Sequence, residues 1–372
     1  MQPKAPKAVH LCAVRAVVAL AGVISLLWLL AGLPAPAQST SWQMQVSGTK
    51  ASLRGIHAVT AQVAWASGSQ GTILRTVDGG TNWQHCTTPP DAATLDFRGI
   101  WAWDAKTAVA LSSGPGDQSR LYKTTDACQS WQLLYTNPHK DGFWDAVAFW
   151  DTQHGLILGD PVGGVFQILS TDNGGANWQE QIYPTLKADP KDAGAFAASN
   201  SSLFADYPRV WFGVGGVGGA YLYSGKNRFV GIVSYGRTPM PGGFDWTKAK
   251  TPIAGGDSGA GIFSVAFRDE RHGVIVGGNY EKPENTAGTA AYSSDGGLKW
   301  KAAKVPPDGY RSAVAWDAKQ KAWIAAGING SDASYDDGKT WQPLDNGSWN
   351  ALGLPFIVGP GGRIGKLISL RK

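Results

Sequence analysis

Beyond an apolar leader, hydrophobic residues come in short runs separated by glycine- and aspartate-rich punctuation. Runs this short, bounded by turn residues, predict strands and not helices. One kind of run is read at Leu53–Ile56, Phe97–Ile100, Phe143–Ala146, Ala195–Ala198, Ile262–Val265, Tyr310–Ala313 and Trp349–Leu352. A more glycine-rich run follows each, as at Ile157–Asp160 and Ile275–Gly278. The seven first runs predict seven strand groups, and a strand repeat of ~40–50 residues points to an all-β propeller.

The fourth group is expected to place its third strand at Tyr221–Ser224 and its fourth around Trp246, after an insertion. The seventh ends near Leu370 with only three strands. Trp42 and Gln43 repeat the Trp-Gln pair that opens a fourth strand elsewhere. The N-terminal segment is therefore expected to complete the last group and close the ring, which removes exposed sheet edges.

A box of the form Ser/Thr-x-Asp-x-Gly-x-x-Trp sits at the end of most groups. Its Asp and Trp positions are Asp78 and Trp83, Asp126 and Trp131, Asn173 and Trp178, Asp295 and Trp300, and Asp336 and Trp341. The carboxylate can accept from N–H groups of its own turn, and the glycine can take a positive φ. The Trp buries a large ring and anchors the turn. These aspartates are read as structural, not catalytic. Two boxes depart from the pattern, with Cys128 at the glycine position and Asn173 at the aspartate position, and both are expected to weaken their turns. The boxes resemble the Asp-box, or BNR, repeat, which lies between the third and fourth strands of propeller blades.

Composition fits many short strands, with 49 Gly and 17 Trp in 372 residues. Residues 1–37 read as a signal peptide. Lys4, Lys7 and Arg15 precede an apolar run from Ala16 to Leu33, and Ala35 to Ala37 resembles a cleavage site. The run is long enough that an uncleaved anchor stays open, and it is the one route to a membrane read here. Residues 38–372 form the propeller domain. The leader carries three of the positive charges, so the formal charge of +5 falls to +2 in the mature chain (5 − 3). That balance gives no reason to expect nucleic-acid binding.

Cys86 and Cys128 remain after the leader. Both are expected near the rim on neighbouring groups, where export permits one disulfide; two unpaired thiols are the alternative. No histidine pair joins them, so no metal site is read, and no glycine loop has the strand-to-helix setting of a nucleotide site. No cofactor is expected.

Aligning the first runs yields one column: Arg54, Arg98, Trp144, Phe196, Phe263, Arg311 and Asn350. Equivalent positions converge at the mouth of a propeller channel. One side of the mouth is then expected to be cationic and the other aromatic. Arginine forks suit carboxylate recognition, and aromatic residues beside them have the composition of an interface hot spot. The alternative is that the arginines pair with inner carboxylates such as Asp145 or Asp160.

The blade pattern, with the stretch from Leu74 to Trp83, resembles the photosystem II stability/assembly factor family over nearly the whole mature chain. That resemblance implies an exported, non-enzymatic scaffold, periplasmic or extracellular, that holds a partner protein during assembly of a membrane complex. An arginine patch is a feature of that family; Arg54, Arg98 and Arg311 are the candidates here. A second resemblance is to sialidases and other Asp-box glycoside hydrolases, which implies glycan substrates. The Arg-Ile-Pro element of sialidases is absent, and none of Glu180, Glu270, Glu281 and Glu284 lies on an inner strand. Asp145 and Asp160 are the carboxylate pair that an inverting hydrolase would use.

Overall fold

A computed structural model describes residues 41–188, 193–228 and 243–370. The leader read at residues 1–37 lies outside the described residues. The described chain is almost wholly antiparallel β-structure with two short 3-10 turns. Its strands form five four-stranded sheets and one eight-stranded sheet. The eight-stranded sheet is two groups joined where Gly215 and Gly216 pair with Gly261 and Asp257.

The first group shows the shared plan: Leu53–Ala58, Ala64–Gly68, Ile73–Thr76 and Gln84–His85 pair in sequence order. In the last group Trp42–Gln45 pairs with Ile364–Leu367, outside Phe356–Val358 and Ala351–Gly353. In the fourth group Tyr221–Asn227 pairs with Phe244–Lys250, which carries Trp246. The first strand of that group is Leu203–Asp206. Ala195–Ala198, expected there, is instead irregular chain, because Ser199, Asn200 and Ser201 divert it across the neighbouring groups.

The core lies between sheets. Trp65, Phe97, Ile100, Tyr122 and Trp131 pack in one cluster that joins the first and second groups. Ile56, Trp83, Phe356 and Ile364 join the last group to the first. Each sheet is therefore covered on both faces, which is why strands such as Ala64–Gly68 and Ala322–Gly327 are buried at every position and show no polar alternation. Buried indoles also donate across sheets: Trp65 Nε1 to Asp104 O at 3.0 Å, Trp211 Nε1 to Gly296 O at 3.1 Å and Trp42 Nε1 to Ser331 Oγ at 2.9 Å.

All five boxes make one hydrogen-bond pattern. In the first, Thr76 Oγ1 donates to Asp78 Oδ1, Gly80 N donates to Thr76 Oγ1, and Asn82 N donates to Asp78 Oδ1, each at 2.9 Å. Asn173 Oδ1 takes the same two bonds at 3.0 and 2.9 Å, so the turn keeps its geometry with a neutral acceptor. In the second box Ala127 and Cys128 take φ of 64° and 62°, the left-handed region that glycine fills in the other boxes except at Asp337 of the fifth. Cys128 is also disulfide-bonded to Cys86, which follows the outer strand of the first group. The bond therefore ties adjacent groups at the rim.

Candidate functional site

The first strands carry a repeated irregularity. Pairing with the second strand skips one residue between Leu53 and Gly55, Phe97 and Gly99, Trp144 and Ala146, and Ile262 and Ser264. The skipped residues are Arg54, Arg98, Asp145 and Phe263. A bulge of this kind re-aims the side chain it releases. All four line one cavity of about 550 Å³. Ser312 and Asn350, directly before the first strands Ala313–Asp317 and Ala351–Gly353, line it too. So do Phe196 and Ala197 of the irregular segment.

The cavity therefore gathers Arg54, Arg98, Phe196, Phe263 and Asn350 from the expected column, but not Trp144 or Arg311. Those two sit one residue too early, at the inward position that Leu53 and Phe97 occupy. Trp144 is fully buried and stacks on Tyr135 at 5.9 Å. Arg311 is 1% exposed, and its Nη2 lies 2.5 Å from Asp332 Oδ2. Asp145 and Ser312 take their places, so the mouth is not the cationic half-ring the column implied.

Arg54 and Arg98 converge on one carboxylate. Arg98 Nε lies 2.8 Å from Asp96 Oδ2 and Arg54 Nε 3.5 Å from the same oxygen. Burial, and then the neighbouring Arg98 charge, lowers the Arg54 pKa from its usual value. Arg98 Nη1 also donates to Ala197 O at 3.2 Å. Asn350 spends its amide on Leu53 O at 2.8 Å and Ser52 Oγ at 3.2 Å, a structural bridge between the last group and the first.

Opposite the arginines stand Asp145 and Asp160. Asp145 is 1% exposed, and its Oδ2 is buried with no hydrogen-bond partner. Burial pushes its pKa well above the usual carboxylate value; the Asp160 charge adds to this and Arg98 opposes it. Burial pushes Asp160 up to about 6, opposed by the N–H of Ala195, which donates to Asp160 Oδ1 at 2.9 Å. The aromatic wall is ordered as well. Phe196 stacks on Phe263 at 3.9 Å, and Tyr310 meets Phe263 edge-on at 4.8 Å. Tyr280, half exposed, stands at the rim of that wall. Sequence reasoning missed Tyr280 and Tyr310 as cavity residues; the signal available for Tyr310 was its place two residues before Ser312, as Ser52 stands before Arg54 and Phe143 before Asp145.

A second cavity, of about 400 Å³, is lined by residues of the first strands, including Ile56, Ile100, Val147, Leu203, Val265, Val314 and Leu352. The irregular segment contributes Ala195–Ala198 to the first cavity and Ser199–Ser201 to the second. It is pinned between them. Asn200 Oδ1 accepts from Val147 N at 2.9 Å, Ser199 Oγ donates to Ser312 O at 2.7 Å, and Ser201 Oγ lies 2.7 Å from Ser264 Oγ. His57 in this second cavity accepts from Ala102 N, and burial lowers its pKa to about 4, so it is neutral. None of Asp78, Asp126, Asp295 and Asp336 lines either cavity.

Packed antiparallel groups around shared axial cavities define a β-propeller. Solved structures share this fold, two of them described as YCF48. One, described as YCF48 bound to D1 peptide, matches with a TM-score of 0.60 and 15% identity over 91% of this chain and 100% of that one. The other, YCF48 from Cyanidioschyzon merolae, matches with a TM-score of 0.57 and 18% identity over 88% of this chain and 98% of that one. No protein-family model and no curated protein matches the chain.

Proposed function

We propose that this chain is an exported, seven-bladed propeller, closed by its N-terminal strand, that binds a partner protein without catalysis. The domain is residues 38–372, behind a signal segment at residues 1–37. The compartment is periplasmic or extracellular, and any membrane contact is through an uncleaved leader. The observation that carries the binding role is the projection of Arg54 and Arg98 by backbone bulges into one open cavity, facing the stacked rings of Phe196 and Phe263. Spending a bulge to expose an arginine has no packing rationale, whereas arginine beside rigid aromatic rings is what a protein interface uses. The likeness to YCF48, a photosystem II assembly factor, and the description of one such structure as bound to D1 peptide support a protein partner. A subunit of a membrane complex awaiting assembly is the kind of partner implied.

The test compares crosslinked capture from an envelope extract by the mature protein and by Arg54→Glu/Arg98→Glu. A specific partner captured by the first and lost by the folded variant supports the proposal. Equal capture by both contradicts it. Glycan hydrolysis is retained as a second reading by one observation: Asp145 and Asp160 share the cavity with raised pKa values, the property a general acid needs. Turnover of aryl glycosides that disappears in Asp145→Asn would establish it, and an inert panel sets it aside.

A further inference from the structure

We propose that the Asp145–Asp160 end of the cavity is a cation subsite that accepts the guanidinium or ammonium side chain of a basic residue on the partner. This inference rests on the protein-binding reading of the same cavity. Three observations support it. Asp145 is buried, lines the cavity, and leaves Oδ2 without a hydrogen-bond partner, although nearly all buried polar atoms in folded proteins find one. Neither arginine forms an ion pair with it: Arg98 lowers its pKa from a distance, and both arginines lie against the single carboxylate of Asp96. With both buried carboxyls ionised, Arg54 and Arg98 would stand against Asp96, Asp145 and Asp160, two positive to three negative, an imbalance that in the empty site favours keeping a proton. One incoming monovalent cation balances the site.

The walls also suit an organic cation. Phe196, part-exposed and backed by the buried Phe263, and Tyr280 at the rim offer ring surface to the stem and head of an arginine or lysine. An unpartnered carboxylate oxygen in a cavity that aromatic residues also line matches a long basic side chain better than a small ion. No group of three or more His, Cys, Asp or Glu among the described residues is placed to hold a metal. The other explanation of the pair is a single proton shared between the two carboxyls, with no ligand role.

The experiment titrates the mature protein with N-acetylargininamide and with its neutral isostere N-acetylcitrullinamide, at millimolar concentration, followed by NMR shifts or calorimetry. The expected result is a preference of at least about tenfold for the arginine probe, lost in Asp145→Asn and reduced in Asp160→Asn. Both substitutions are isosteric, and circular dichroism verifies the fold of each variant before titration. Equal binding of the two probes, binding of neither, or unchanged arginine binding in Asp145→Asn overturns the subsite and leaves the shared proton. Partner capture that still depends on Arg54 and Arg98 would then show that only the subsite has failed, and not the docking role.

Discussion

Arg311 and Asp332 form an ion pair in which each side chain is 1% exposed, with Arg311 Nε and Nη2 both 2.5 Å from Asp332 Oδ2. The remaining guanidinium donors go to Tyr310 O, Asn329 Oδ1 and Asp308 O. Every arm of this arginine is spent inside the protein, so it is a folding residue. Removing one partner of a buried pair leaves an uncompensated charge. Arg311→Met is expected to cost about 3–5 kcal/mol, and Arg311→Met/Asp332→Leu to recover most of it. Denaturant midpoints of the three proteins check this; an Arg311→Met protein as stable as wild type contradicts the assignment.

The disulfide has a backbone consequence. Cys86 and Cys128 are 42 residues apart, and breaking their bond is expected to cost about 2–4 kcal/mol. Cys128 also sits at a φ of 62°, where glycine is at ease. Cys86→Ser/Cys128→Gly is therefore expected to lose about 1 kcal/mol less than Cys86→Ser/Cys128→Ser. Urea unfolding with and without reductant measures both differences.

Asn200 pins the irregular segment to two neighbouring groups. Its Oδ1 accepts from Val147 N at 2.9 Å, and its Nδ2 donates to Val147 O at 3.1 Å. Asn200→Ala leaves that backbone N–H without its partner, at a cost of about 1–3 kcal/mol. Hydrogen exchange at the Val147 amide should quicken in the variant. Unchanged exchange there contradicts the pinning role.

Two sets of carboxyls give stability opposite slopes with pH. Asp78 and Asp126 are held down to about 2, chiefly by the Asn82 N–H and the Ser130 hydroxyl. Their contribution is present above the ordinary carboxylate pKa of about 4 and is lost as pH falls toward 2. Asp160, raised to about 6, and Asp145, also raised, work the other way. The folded state binds their protons more tightly, so stability rises as pH falls through about 6, for Asp160, toward the ordinary carboxylate value of about 4. Thermal melts from pH 2 to 8 should show both limbs. Asp145→Asn/Asp160→Asn should flatten the upper limb. Asp78→Asn/Asp126→Asn should flatten the lower, since Asn173 shows that an amide can serve the turn.

The strand groups were legible because most end in a turn whose chemistry is local: Thr76, Asp78, Gly80 and Asn82 bond to one another within seven residues. The site was legible only in part. Whether Trp144 or Asp145 faces the cavity depends on a bulge, and a bulge is set by pairing with the second strand, which no run of residues states. The same slip placed Arg311 at the mouth and hid Ser312. The role of residues 195–201 rests on bonds to Ile100, Val147, Ser264 and Ser312, more than 50 residues away in each case. Local pattern carries no trace of such contacts.

The central claim is that the arginine–aromatic cavity is the face a partner protein occupies. Its most direct measurement is site-specific photocrosslinking in the native envelope. The photoreactive residue is placed at Ser258 or Ile328 on the cavity rim, or at the exposed control positions Val305 and Ile182. The account predicts one shared crosslinked protein from both rim positions, none from the controls, and loss of that product when Arg54 and Arg98 are both changed to Glu. The same product from the control positions, or a rim product indifferent to Arg54 and Arg98, would contradict it.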